Sequence, residues 1–583
     1  MTSPSPPRSG ASDWIRREYD GFLTLLLLCV VVFAGLPFAR LLIAALAPGG
    51  HFNPSASFAA ATSRIALIAA WNTVETGVLS SIGALVLGAG FAIALAVTDI
   101  RGKRVLAFLF VMSLLVAPQV AALAYKTLAG PASPILNAMG LAPPPGTPNP
   151  LLGRFGVILI LSIHHAPLAA ITLATGLRAI PASLIETAQL DGATPFTILR
   201  KVVLPLLRPH VVMASLLVFV AGVSNFGIPA LLGLPANYVT LPTLIYRQLV
   251  SFGPSGIAEA AALSMSVAVI AGVGVLAITA QGRSDARRET EAPMTPFWRL
   301  GALRPVVETG LWIVIGLCCL IPFASLLATA LVPAFGVKLT LYTMTVDKFA
   351  EVLLRQSVTI RAFRNSFLFA GSAALILSFL AIALAYALDR KAGKFRRVLE
   401  AILEIPYALP GVVLAIACIL LFLRPLPIIG VSIYATPFII VFAYLARFLP
   451  LALKPTLAAM AVLGREQEEA SALDGANAWQ RLRHIIAPNV LPAAAAGALL
   501  VFLLAFNELT VSALLWTAGT ETLGVALFSL EDAGLGGEAA AIGVTATLVV
   551  GVVMAVLNGL RARVPPDVLP WVMLASTGTG ENS

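Results

Sequence analysis

The chain has 583 residues, of which 59% are hydrophobic and only 11% charged, a balance that excludes both an ordinary soluble protein and an unfolded one. Its formal charge of +10 could suggest a nucleic-acid partner, but the basic residues fall in short loops on alternate sides of apolar stretches, which is an orientation signal instead. The expected fold class is therefore all-α integral membrane, with lipid as a partner and no nucleic acid, because helices satisfy their own backbone where water is absent.

A helix crosses the hydrocarbon layer in about 20 apolar residues. Twelve stretches meet that length, at about 22–46, 77–97, 105–125, 155–177, 211–233, 256–280, 309–333, 366–388, 398–423, 437–460, 491–517 and 538–559. Placing Arg8, Arg16 and Arg17 in the cytoplasm puts most of the Lys and Arg residues on that side, with both termini inside. Lys338, Lys348, Arg355, Arg361 and Arg364 would then face outward in a longer loop, which the rule tolerates. Cys29, Cys318, Cys319 and Cys418 all lie inside spans and read as small apolar residues.

The chain also repeats itself. ETAQLDGATPFTILRKVVLP at 186–205 answers EASALDGANAWQRLRHIIAP at 469–488, 283 residues further on and without a gap. Pro37-Phe38-Ala39 answers Pro322-Phe323-Ala324, Asn72-Thr73 answers Asn365-Ser366, and Glu259-Ala260-Ala261-Ala262 answers Glu538-Ala539-Ala540-Ala541. Six spans precede the joint and six follow, so the halves share one orientation, related by an axis along the membrane normal. The organisation expected is a cytoplasmic tail at 1–20, a first half at 21–280 with its core at about 70–280, and a charged linker at 281–308. A second half follows at 309–560 with its core at about 363–560, then a cytoplasmic tail at 561–583.

The best-matched part of the repeat lies in a cytoplasmic loop, where the bilayer imposes no pattern. Glu186 to Leu190 extends a helix, Asp191-Gly192 breaks it in the manner of a left-handed cap, and Thr194-Pro195 starts another helix. Asp474-Gly475 and Asn477 repeat the instruction in the second half, Phe196 and Trp479 place a ring near each bend, and Pro205 and Pro488 mark entry to the fifth and eleventh spans.

This spacing resembles the loop of binding-protein-dependent ABC importer permeases, E-A-A-x3-G-x9-I-x-L-P. The matching positions are Glu186, Ala188, Gly192, Leu204 and Pro205, and Glu469, Ala470, Gly475, Ile485 and Pro488. Thr187, Ser471, Val202 and Ala487 depart from it by small or apolar exchanges. The resemblance implies two fused type I transmembrane domains whose loops are coupling helices gripped by cytoplasmic ATPase subunits, a homodimer. It also implies a periplasmic or lipid-anchored substrate-binding protein and a bacterial inner-membrane location. The chain has no G-x4-G-K-[S/T] loop and no His/Glu or His/Asp set at catalytic or zinc spacing. No catalytic residue, metal site or cofactor is expected on it; ATP and Mg belong to the partner ATPase.

Polar groups within spans are candidates for the translocation path, since a charge there is costly. They are Gln119, His164, Asn225, Glu404, Arg447, Asn507 and Glu508. His164 and Arg447 are repeat mates, as are Asn225 and Glu508. The competing reading of each is interhelical glue. The stretches from Ser224 to Gly233 and from Asn507 to Leu515 resemble fused ferric-iron importer permeases, and similar fused permeases serve thiamine and 2-aminoethylphosphonate. An ion-coupled secondary transporter would also show twelve spans in two halves, with Glu404 or Glu508 as an ion site, but it has no need of matched docking loops.

Overall fold

The computed structural model describes residues 21–47, 51–251, 256–281, 295–334, 336–389, 393–425, 430–464, 466–559 and 569–576. The expected tail at 1–20, most of the linker and most of 561–583 lie outside the described residues. Among the described residues ten helices are long and apolar enough to cross a membrane, and the spans number twelve when each of two bent pairs is taken as one. Among the described residues there is no β-strand, only an isolated bridge between Thr98 and Trp298.

The first half comprises α1 (Gly21–Leu46), α2 (Arg64–Val97), the bent pair α3 (Lys103–Leu115) and α4 (Pro118–Ala129), α5 (Arg154–Arg178), α6 (Ala182–Leu190), α7 (Pro195–Ser224), α8 (Leu241–Val250) and α9 (Gly256–Gln281). The second half repeats this with α10 (Gly301–Ala330), α11 (Ser357–Asp389), the pair α12 (Gly393–Ala408) and α13 (Gly411–Phe422), and α14 (Pro437–Val462). It continues with α15 (Glu466–Leu473), α16 (Ala478–Phe506), α17 (Leu523–Asp532) and α18 (Gly536–Gly559). In each half the second, fourth and fifth spans pack together, α2 on α5 and α7, α11 on α14 and α16. The first span of each half crosses over: α1 packs on α13, and α10 packs on α4.

Several expected boundaries are corrected. The second span starts at Arg64 rather than 77, capped by Ser63, whose hydroxyl accepts from the Ala66 amide. The third span is not one rod: it bends by 100° between Leu115 and Pro118, and the ninth bends by 94° between Tyr407 and Gly411. Pro118 and Pro410 disfavour helical geometry in the residue before them, so each break has a local cause. The fifth and eleventh spans end at Ser224 and Phe506. Residues 225–233 and 507–517 therefore form folded-back segments leading toward α8 and α17.

Pro205 and Pro488 do not mark entries either. Each lies inside a continuous helix, just after a π-turn at Leu199–Val203 or Leu482–Ile486. The wider turn spans the residue four before the proline, where the ring would otherwise meet a carbonyl. Pro37 and Pro322 follow π-turns at Val30–Gly35 and Gly316–Leu320 in the same way.

The paired Asn motifs also have a common task. Asn72 Nδ2 donates to the Val239 carbonyl while Thr73 Oγ1 accepts from the Leu241 amide, 2.8 Å away, at the start of α8. Asn365 Nδ2 donates to the Gly519 and Glu521 carbonyls, and Ser366 Oγ accepts from the Leu523 amide at the start of α17. The expected tail at 561–583 contains a helix, α19 (Pro570–Ser576), packed on α3. Trp571 is buried there, edge-on to Phe108, with its indole N–H on Asn558.

Candidate functional site: two levers and a broken-helix centre

The two loop motifs fold alike. In the first, α6 ends at Leu190 and Gly192 takes φ +76°, with the Gly192 amide donating to the Gln189 carbonyl and the Ala193 amide to Ala188. In the second, Gly475 takes φ +84°, its amide donating to Ala472 and that of Ala476 to Ser471. This pattern closes the helix end on its own orphan carbonyls, and the left-handed position favours glycine. Thr194 then caps the start of α7 by accepting from the Thr197 amide. Asn477 does the same for α16 at 2.8 Å from the Gln480 amide, with Gln480 reaching back to the Asn477 amide. A short helix is thus joined through a fixed bend to a long one, α7 of 30 residues and α16 of 29. The loop helix and the span are one rigid lever.

Glu186, Asp191 and Gly192 are exposed and Ala188 and Pro205 half-buried; Glu469, Ala470, Asp474, Gly475 and Pro488 are exposed. Apolar side chains stand out beside them. Leu190 is 88% exposed and Leu473 90%, and Phe196 and Trp479 are each 61% exposed. Leu190 and Leu473 are repeat mates that sequence reasoning passed over, because a leucine in a helix normally reads as core. Both levers lie at one end of the molecule. Two crossings separate the second lever from the end of α18, and Met554 and Leu557 there share a buried cluster with Ile185 and Ile198 of the first lever.

Five of the seven polar span residues, Gln119, Asn225, Arg447, Asn507 and Glu508, lie at or beside the helix breaks. Gln119, at the start of α4, is buried, and its Nε2 donates to the Asn507 carbonyl of the other half at 3.1 Å. A methyl at Gly227 would lie 3.2 Å from Gln119 Oε1. Asn225 and Glu508 play one role in the two halves: Asn225 Oδ1 accepts from the Ile228 amide and Glu508 Oε1 from the Val511 amide, each capping a folded-back segment. Arg447 and Thr510, the mate of Gly227, each stand beside Gly411, the first residue of α13. His164 is buried in α5 with its ring 5.2 Å from that of His165. Glu404 stays apart, half-exposed on α12 and paired with Lys454 at 2.9 Å. Among the described residues no three His, Cys, Asp or Glu side chains gather as metal ligands would.

This arrangement suits a conduit that is driven from one end. It has rigid levers with exposed apolar tips, and half-helices whose breaks bring backbone and polar side chains to the middle of the bundle. Several curated proteins resemble the chain. A probable ABC transporter permease protein, y4fN, of Sinorhizobium fredii is 26% identical over 478 residues, covering 80% of this chain and 82% of its own. The Fe(3+)-transport system permease protein FbpB 2 of Haemophilus influenzae is 25% identical, covering 64% of this chain and 70% of its own length. The ferric transport system permease protein FbpB of Actinobacillus pleuropneumoniae is 23% identical over 70% of this chain, which spans 58% of that relative. The family described as the binding-protein-dependent transport system inner membrane component matches residues 21–289 and 390–569. With both halves and most of the chain matched, this protein belongs to that family, as a permease of the ABC importers with two transmembrane units fused in one polypeptide.

Proposed function

We propose that the chain forms the translocation path of an importer for ferric iron and hydrolyses nothing itself. Its lever end faces the cytoplasm, where a homodimeric ATPase grips the two loops, and a periplasmic or lipid-anchored binding protein delivers cargo to the opposite end. The observation that carries this reading is the duplicated lever: the same cap, bend and π-turn, with Leu190 and Phe196 matched by Leu473 and Trp479 in the open. An exposed apolar pair at fixed register on a rigid helix suits a partner's cleft and serves no purpose in water. Each coupling residue has a place in it. Gly192 and Gly475 make the bend, Asp191 and Asp474 end the short helix, Ala188 and Ala470 keep it slim, and Glu186 and Glu469 offer a carboxylate to the partner. Iron is supported by the ferric transport permeases among the relatives, at about 25% identity or below. Gln119, Asn225, Arg447, Asn507 and Glu508 are the path residues this reading selects, with His164 and Glu404 further from the breaks.

The test is uptake of radiolabelled ferric iron into proteoliposomes holding the chain with its ATPase and binding protein. ATP-dependent accumulation that needs all three components is expected. Uptake by the chain alone, driven by a proton or sodium gradient, would move it to the secondary transporters.

A further inference from the structure

The bend that breaks the third span leaves a notch on the membrane face of the molecule. α3 and α4 diverge by 100°, and α10 and α18 of the other half close the angle between them, leaving a groove of about 420 Å³. Val120, Ala124 and Leu326 form its buried floor, and Leu320, Leu548 and Val552 stand at its exposed rim. The α18 wall stops about 6 Å short of the end of that helix at 1.5 Å per residue. The groove therefore lies within the hydrocarbon layer, and its rim continues the surface that meets lipid.

Its lining makes no polar demand. Among the described residues no charged side chain lines it. The Ser113 hydroxyl donates to the Phe110 carbonyl and that of Thr547 to Gly543, while the Cys319 thiol donates to the Leu109 carbonyl at 3.4 Å. Tyr125 turns its hydroxyl onto the Leu317 and Cys318 carbonyls, 3.1 and 3.3 Å away, in the π-turn before Pro322. Buried water needs several polar partners, and the polar side chains of this lining are satisfied within the chain. An empty groove would forfeit dispersion contacts along its whole wall. A flexible apolar chain from the bilayer restores them, and a polar cargo does not.

The other half shows the alternative solution. Phe33 is the repeat mate of Cys318, counted from the matched Pro37 and Pro322. Its ring lies 5.4 Å from that of Phe442, which meets Phe422 edge-on at 4.8 Å. A ring from the chain itself takes up space at that position, where Cys318 offers only a thiol. Gly551 removes a further side chain from the α18 wall, and a methyl there would meet Met112 at 3.4 Å, an ordinary contact.

We propose that the groove between α3, α4, α10 and α18 binds one acyl chain of a membrane phospholipid, held between the two halves. The tail packs α4 of the first half against α10 and α18 of the second, as Phe33 fills the space at the matching turn of α1. The site follows from the placement of the spans in the membrane and is independent of the cargo.

The experiment reconstitutes the full chain in nanodiscs of phosphatidylcholine doped with a phosphatidylcholine that carries a diazirine midway along one acyl chain. After irradiation, adducts are mapped by peptide mass spectrometry. In the register that matches Glu259 to Glu538, Gly272 and Val273 on α9 are the mates of Gly551 and Val552. Val273 is exposed like Val552, so the pair reports on ordinary boundary lipid with the same side chains. Adducts at Gly551 and Val552 are expected to exceed those at Gly272 and Val273 at least about tenfold, the occupancy ratio given by a preference of about 1.4 kcal/mol. Cys318→Phe, which imports the ring of the other half, and Gly551→Leu, which fills the groove from the α18 wall, should each bring Val552 down to the level of Val273. The two substitutions act from different helices, so one decides should the other fail to fold, and the unmodified chain decides should both fail. Equal labelling of Val552 and Val273 in the unmodified chain, or labelling of Val552 that neither filling reduces, overturns the site.

Discussion

The two levers share one backbone and are held in place by opposite chemistry. In the first, Ile185 and Ile198 are buried at 4% and 1% exposure in an apolar cluster that also takes in Trp571 and Leu574 of α19. At the same register the second lever has Glu468 and Arg481, equally buried and paired at 3.6 Å. Tyr386 at the end of α11 donates its hydroxyl to Glu468 Oε1 at 2.7 Å, and Arg481 also donates to the Ala476 carbonyl in the bend. The first lever is therefore seated by non-directional burial, and the second by a network that tolerates fewer geometries. A duplicated motif conserves its shape through caps and glycines, while the fastening beneath is free to diverge.

The largest expected effect breaks the second fastening. Glu468→Ala strands the Arg481 guanidinium in a buried site, a class of change that costs about 3–5 kcal/mol. It should show as a large fall in the unfolding midpoint in detergent, with release of the second lever to proteolysis and no change in the first. Importing the first lever's solution should rescue this. Glu468→Ile with Arg481→Ile and Tyr386→Phe is expected to be neutral or more stable by about 1–4 kcal/mol, because an apolar pair of similar volume avoids desolvating two charges. A triple variant as unstable as Glu468→Ala would show that the network is itself indispensable. Smaller again is the difference in capping. Asn477→Ala should cost about 1 kcal/mol and Thr194→Ala somewhat less, since Asn477 has a reciprocal partner in Gln480. Hydrogen exchange at the starts of α16 and α7 would rank them.

The smallest effect concerns a clasp beside the first lever. Asp99 Oδ1 accepts from the Leu300 amide at 3.0 Å, and Arg304 lies 3.9 Å from its carboxylate. The Leu300 amide, and then the Arg304 and Lys103 charges, hold the Asp99 carboxyl below its ordinary value. A lowered carboxylate contributes stability above its unfolded value of about 3.9. The contribution is lost as pH falls through the folded value. Asp99→Asn should remove that acid-side dependence by lowering stability near neutral pH while leaving the acid side nearly unaffected, as limited proteolysis near Leu300 at graded pH would show.

How far the sequence could be read follows from which forces act locally. Span number and the levers were legible because apolar length, a glycine at a left-handed position, and Asn or Thr at a helix start act within a few residues. The bends at Pro118 and Pro410 were visible as prolines, but apolar composition runs unbroken through both, so each pair looked like a single rod. The meaning of Asn72 and Asn365 was hidden, because their partners, Val239 and Gly519, lie far along the chain. Arg481 stood in the repeat where the first copy has Ile198, and Glu468 one residue before the repeat where the first copy has Ile185, yet charges in a loop read as solvated. Arg447 was singled out by its cost in a membrane, whereas its neighbour Gly411 gave no signal at all, being one small residue after a proline.

The account rests on the bends transmitting force, and ATP turnover in proteoliposomes measures that most directly. Gly192→Val with Gly475→Val, both forced onto a β-branched residue at positive φ, should leave the chain inserted in the membrane and abolish both uptake and the stimulation of the ATPase by loaded binding protein. Undiminished transport and stimulation in that double variant would contradict the coupling role of the levers.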